Sequence, residues 1–192
     1  MMQTTPIRSR KEIEKMKSYF LEDKNYRDYA LFVTGINTAL RISDLLHLKW
    51  EDVYNTQTHA YKSHVRIIER KTNKQVIIAL NTNCISALKL LKKNRPLQTE
   101  DEYIFSSNKN RHAPLSRNRA YHIIKNAADA VHVEGNISCH SLRKTFGYHA
   151  WKMGTPSALI MNIYNHSSIE ITKRYLSICQ DDRDDLFKSL NL

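Results

Sequence analysis

Residues 61–80, YKSHVRIIERKTNKQVIIAL, hold the alternating pattern that sets the fold class of this 192-residue chain. Tyr61, Ser63, Val65 and Ile67 alternate with Lys62, His64, Arg66 and Ile68, and Val76, Ile78 and Leu80 repeat the two-residue period. The spacing predicts two antiparallel strands joined near Lys71-Thr72-Asn73-Lys74. On both sides the apolar period becomes helical. Upstream, SRKEIEKMKSYFLED reads as a helix with Ser9 as N-cap and Ile13, Met16 and Phe20 on one face, and NYRDYALFVTGIN as a second, more buried helix. A short helix follows around Ile42 to Leu48. Downstream, helices fit Asn83 to Lys93, Arg117 to Val131, Leu142 to Met153, Pro156 to Tyr164, Ile169 to Leu176 and Asp181 to Leu190. Only four Gly and four Pro punctuate the chain, too few for the many turns of an all-β domain. The expected fold class is mainly α with a small antiparallel β-sheet (α+β), in one domain from residue 9 to 192. Residues 1–8 read as an N-terminal tail and 177–192 as a C-terminal tail helix.

Composition narrows the function. Lys plus Arg number 30 against 19 Asp plus Glu, a net charge of +11, while 41% hydrophobic residues are enough for a packed core. The longest apolar runs, Tyr29 to Val33 and Val76 to Leu80, are far shorter than the ~18 residues of a membrane span. Charges occupy the place where a secretory leader would be apolar, so the expected location is cytoplasmic, with the nucleoid. Cys84, Cys139 and Cys179 form no CxxC pair and are expected to be reduced, and none of the nine histidines falls in a zinc-type motif. No metal or other cofactor is expected. Lys89, Lys92, Lys93 and Arg95 form one basic cluster and Arg111, Arg117 and Arg119 another, whereas Asp181, Asp182, Asp184 and Asp185 crowd the end. Nucleic acid is the leading partner class.

Four segments carry candidate chemistry. TGINTALRISDLLHLKWEDV (34–53) sets Arg41 at a helix entrance, with Asp44 one turn on to orient its guanidinium. ERKTNKQVIIAL (69–80) offers Lys71 or Lys74 on a hairpin turn. CHSLRKTFGYHAW (139–151) places His140 and Arg143 on one helical face, and NHSSIEITKRYLSI (165–178) holds His166 and, nine residues on, Tyr175. Singly, each also fits a bland reading: a surface cation pair, a capped helix with an ion pair, a solvated lysine, a core tyrosine.

In this order the segments resemble the catalytic domain of the tyrosine recombinases, the phage-integrase family. The pattern T-G-x-R-x-x-E/D-L-x-x-L-x-W falls on Arg41, Asp44, Leu45, Leu48 and Trp50. The hairpin lysine falls on Lys71, the H-x-x-R box on His140 and Arg143 with Leu142, Thr145 and Phe146, and the last box on His166, Thr172 and Tyr175. The resemblance implies a site-specific DNA recombinase that works through a 3′-phosphotyrosine link without a cofactor. Tyr175 is then the nucleophile, Arg41 and Arg143 grip the scissile phosphate, His140 takes the phenolic proton, His166 donates to a phosphate oxygen, and Lys71 protonates the leaving 5′ oxygen. Type IB topoisomerase-like relaxation and a non-catalytic DNA-binding regulator are the alternatives. The implied partners are double-stranded DNA, three further copies of the chain in a tetramer on DNA, and an accessory DNA-bending protein. Relatives commonly carry a separate N-terminal clamping domain, so the chain reads as a catalytic domain alone, similar in size to short recombinases that invert fimbrial promoters. Two departures stand out: Asn165 replaces a usual glycine, and Lys144 stands where many relatives have His. Leu186, Phe187 and Leu190 give the tail an apolar stripe that could pack on a neighbouring protomer or on its own domain.

Overall fold

A computed structural model describes residues 3–107, 109–178 and 180–190; Cys179 and the Leu186 side chain lie outside the described residues. In chain order the elements are α1 (Arg10–Glu22), α2 (Tyr26–Thr38), α3 (Ile42–Leu46), α4 (Trp50–Val53), β1 (Tyr54–Asn55), β2 (Ala60–Tyr61), β3 (His64–Ile68) and β4 (Gln75–Ala79). They continue as α5 (Thr82–Asn94), α6 (Arg117–Ala130), α7 (Cys139–Lys152), α8 (Ser157–Tyr164), α9 (Ile169–Leu176) and α10 (Gln180–Ser189). Ser9 caps α1 by accepting from the Glu12 N–H at 3.4 Å, and Ile13, Met16 and Phe20 are its buried residues. Helix α2 is buried continuously from Ala30 to Gly35 because it packs against α5, α7 and α1. Gly35 is required there: a Cβ would lie 2.7 Å from Leu142 Cδ1 of α7. Cys84 and Cys139 are free thiols within the core, and burial raises them to about 12 and about 11.

The strand region differs from the expectation of one small sheet. Among the described residues there are two separate two-stranded ladders, β1–β2 and β3–β4. A bend at Ser63 breaks the alternation read from Tyr61, so Tyr61 pairs with Tyr54 while β3 starts at His64. Val65 pairs with Ile78 and Ile67 with Val76 on the inner face, leaving Ile68 and Ile77 exposed outside. Helix α4 is a single turn, too short to show a period. Helix α3 ends at Leu46, and α7 begins at Cys139 rather than Leu142. The reason for the earlier start is local: the Ser138 hydroxyl accepts from the His140 N–H (3.3 Å), and the Ser141 hydroxyl accepts from the Ser138 N–H (3.0 Å).

The stretch before α1 is a packed strap. Ile7 is fully buried, its N–H bonded to Thr145 Oγ1 at 2.9 Å and its carbonyl to His149 Nε2 at 3.0 Å, while the Thr5 N–H reaches Asn136 O at 3.1 Å. Ile7, not visible as periodic in the sequence, thus ties the N-terminal segment to α7. Among the described residues, no helix is long and apolar enough to cross a membrane.

Candidate active site

Arg41 precedes α3 with an extended backbone, as its N-cap. Its Nη1 forms an ion pair with Glu69 Oε1 at the end of the β3 strand. The expected orienting partner, Asp44, is engaged elsewhere: its Oδ1 accepts from the Arg70 backbone N–H at 3.0 Å. The one-turn spacing of Asp44 from Arg41 therefore serves the hairpin, anchoring the turn that bears Lys71, and a residue distant in sequence holds the arginine. Glu69 also accepts from the Thr72 hydroxyl at 2.6 Å. Burial works to raise the Glu69 pKa, but Arg41, Thr72 and Arg143 outweigh it and hold the carboxyl below its ordinary value.

Arg143, on α7, is 5% exposed. Its Nη1 donates to the carbonyl of Ala39, a left-handed residue ending α2, and its Nη2 to Tyr164 O at 3.4 Å. Two guanidinium donors are thus used on backbone carbonyls, and the guanidinium also hydrogen-bonds the Tyr175 phenol. The guanidinium also lies 4.6 Å from the Tyr164 ring centroid. His140, one turn earlier, sits in the first turn of α7, and its imidazole pKa is lowered by burial and then by Lys144, Arg143, Arg117 and Lys71.

Helices α8 and α9 supply the remaining groups. Asn165 ends α8 at φ 56°, ψ 42°, the left-handed region in which Asn is better tolerated than other non-glycine residues. It performs the turn that the usual glycine would make, and its Oδ1 accepts from Lys74 Nζ at 2.9 Å. Lys74 is thereby tied to the turn, while Lys71 lines the cleft described below. His166 Nδ1 lies 3.1 Å from Thr172 Oγ1, whose own proton goes to the Ser168 carbonyl at 3.2 Å, so the hydroxyl accepts from the ring and the proton of the neutral imidazole sits on Nδ1. Tyr175 occupies the last turn of α9, one turn after buried Thr172. Its ring packs 5.2 Å from Tyr164 and 5.1 Å, edge-on, from His166. One cleft of about 1130 Å³ is lined by Arg41, Lys71, His140, Arg143, His166 and Tyr175, together with Tyr164 and Arg117.

A model described as the phage integrase family matches residues 9–180. The chain belongs to this family. It is 42% identical over 180 residues to the probable integrase/recombinase YoeC of Bacillus subtilis, covering 92% of this chain and 91% of that protein. It is 30% identical to the TnP I resolvase of Bacillus thuringiensis, covering 85% of this chain but 54% of the resolvase, so it spans about half of that longer relative. The crystal structure of XerA recombinase has the same fold, with a TM-score of 0.77 at 21% identity, covering all of this chain and 65% of that one.

In this phage integrase family member, Tyr175 is pulled in two directions: burial raises its phenol pKa, and Arg143 and Arg41 lower it. His166 is pushed down by burial, then by Arg143 and Arg41, which favours a neutral ring. An incoming phosphodiester monoanion offsets one of those two cationic charges and so favours protonation of the ring. Sequence reasoning missed Glu69 and Tyr164. The Tyr164 hydroxyl donates to Arg143 O at 2.6 Å and its ring stacks on His166 at 5.4 Å, so it is the hub joining Arg143, His166 and Tyr175. Its local signal is an aromatic residue directly before the Asn165-His166 turn.

Proposed function

We propose that this chain is a site-specific DNA recombinase that cuts and reseals double-stranded DNA through Tyr175. The reading rests chiefly on one observation: six side chains from α3, the β3–β4 turn, α7, the α8–α9 turn and α9 line a single cleft. Tyr175 Oη attacks the scissile phosphorus, its proton passing to His140 as the bond to the 5′ oxygen breaks. Lys71 protonates that oxygen. Arg41 and Arg143 neutralise the non-bridging oxygens, and His166, protonated as the phosphate anion enters, donates from Nε2 to one of them. The 3′-phosphotyrosine link preserves the diester until a 5′-hydroxyl from another strand attacks and releases the tyrosine. The residue set calls for no cofactor. A single domain over residues 9–192 acts in the cytoplasm on nucleoid DNA, as a tetramer helped by an accessory DNA-bending protein.

The test is incubation with supercoiled plasmid and nicked duplex in EDTA, followed by denaturing gels. Wild type forms a covalent protein–DNA adduct and joined non-parental ends, and Tyr175→Phe binds DNA without forming the adduct. Relaxed circles alone would indicate a topoisomerase. Activity unaffected by Tyr175→Phe would indicate a non-catalytic regulator.

A further inference from the structure

Lys144 lies on α7 beside Arg143, yet it does not line the cleft, and it is 3% exposed. Its Nζ donates to the Thr4 carbonyl of the N-terminal strap at 2.6 Å and approaches Ser177 Oγ, in the turn just after Tyr175, at 3.4 Å. The same ammonium sits 5.2 Å from the centroid of the Tyr175 ring. A buried lysine is costly, and this one is already pushed toward neutrality by desolvation. A side chain serving only to tie two backbone segments needs no charge. The charge is used where it meets the ring. We propose, on the reading of Tyr175 as nucleophile, that Lys144 is a positioning residue: clamped between strap and turn, it fixes the Tyr175 ring and holds a positive charge behind it.

Several charged and titratable groups surround this arrangement. Tyr175 faces Arg143 and Lys144 of α7, Arg41 at the entrance to α3, Tyr164 of α8 and His166. Arg8 of the strap donates to Ser177 O at 2.6 Å and lies 3.8 Å from Asp182. His140 is four residues before Lys144 on the same helical face, and Lys144 is its strongest electrostatic neighbour. Charge at Lys144 therefore lowers both partners of the proton transfer: it favours the phenolate of Tyr175, which promotes the transfer, and it keeps His140 neutral to lower pH while making it a weaker base, which sets the acid limb.

The experiment is single-turnover adduct formation on a nicked duplex as a function of pH, comparing wild type with Lys144→Gln and Lys144→Arg. Glutamine keeps a donor for Thr4 O and loses the charge, whereas arginine keeps the charge. Lys144→Gln is expected to slow adduct formation about tenfold at neutral pH, to move the acid limb of the rate profile to higher pH, and to leave noncovalent DNA binding nearly intact. Lys144→Arg is expected to restore the position of the acid limb. A Gln profile that keeps the wild-type limb, whether or not the rate falls, overturns the proposal. So does an Arg variant no better than Gln. Should the Gln variant fail to fold, the Arg variant decides alone: a folded Arg protein with its limb displaced from wild type overturns the proposal, and one with a wild-type limb supports it. A wild type that forms no adduct at any pH would instead remove the Tyr175 reading itself.

Discussion

Glu69 and Asn165 each fix a piece of the cleft through one atom-level device. The Glu69 side chain is 6% exposed against 20% for Arg41, so their pair is partly desolvated, and removing the carboxylate leaves Arg41 without its anchor. Glu69→Gln is expected to cost about 1–3 kcal/mol of stability and to lower adduct formation more than DNA binding, read by denaturation and single-turnover gels. The sign of its pH dependence follows from the lowered carboxyl. The contribution is fully present above the ordinary value of 4.5 and is lost as pH falls through the lower folded value, so wild type and Glu69→Gln converge in stability only in acid. At Asn165 the constraint is backbone φ of 56°. Asn165→Ala is expected to cost about 1 kcal/mol, whereas Asn165→Gly, which suits that φ, is expected to fold with little loss by the same denaturation measurement and to forfeit only the Lys74 contact.

The junction of α7, α8 and α9 depends on the absence of a side chain at Gly147. A Cβ there would stand 2.5 Å from Tyr164 Oη and 2.6 Å from Leu176 Cδ2, forcing apart the helices that carry Arg143 and Tyr175. Gly147→Ala is therefore expected to destabilise by about 1–3 kcal/mol and to depress adduct formation more than the conservative size of the change suggests, as denaturant titration and the gel assay would show. The helices themselves were legible in the sequence because their apolar period and, for α1, the Ser9 cap are local signals. The six cleft side chains were legible for a related reason: each sits in a short local pattern, five of them at a helix end or turn and Arg143 one turn inside α7. Asp44 was read with the wrong partner because spacing along a helix says who is near in sequence, while the Arg70 N–H that it accepts from arrives across the fold. Glu69 and Tyr164 escaped notice for the same cause, since their contacts join separate segments, and Lys144 stood out only as a replacement for the usual His, its contacts to Thr4 and Ser177 being invisible in the sequence. The Tyr61–Ser63 part of the strand failed on a bend that alternation alone does not reveal.

Across the whole molecule the basic residues divide into those turned inward and those turned toward a ligand. Arg95, grouped by sequence with Lys89, Lys92 and Lys93, donates to Ser106 O, Ser106 Oγ and Ser107 O. Arg111 binds Pro96 O and Glu102, and Lys92 rests 4.3 Å over the Tyr54 ring. These cations brace loops, so the net charge of +11 overstates the phosphate contacts available. The cleft offers Arg41, Arg70, Lys71, Arg117 and Arg143. If each of these neutralises one phosphate, log K should fall with log salt at a slope of roughly −4.5, which weakens binding roughly 500-fold between 50 and 200 mM salt. Arg117 touches none of the proposed chemistry beyond its influence on His140, so Arg117→Gln isolates the counterion effect. It is expected to reduce the slope by about 1 with only a modest change in adduct formation at saturating protein, measured by fluorescence anisotropy across a salt series. An Arg117→Gln slope equal to wild type would mean that Arg117 neutralises no phosphate and that the DNA backbone passes the other cleft cations only.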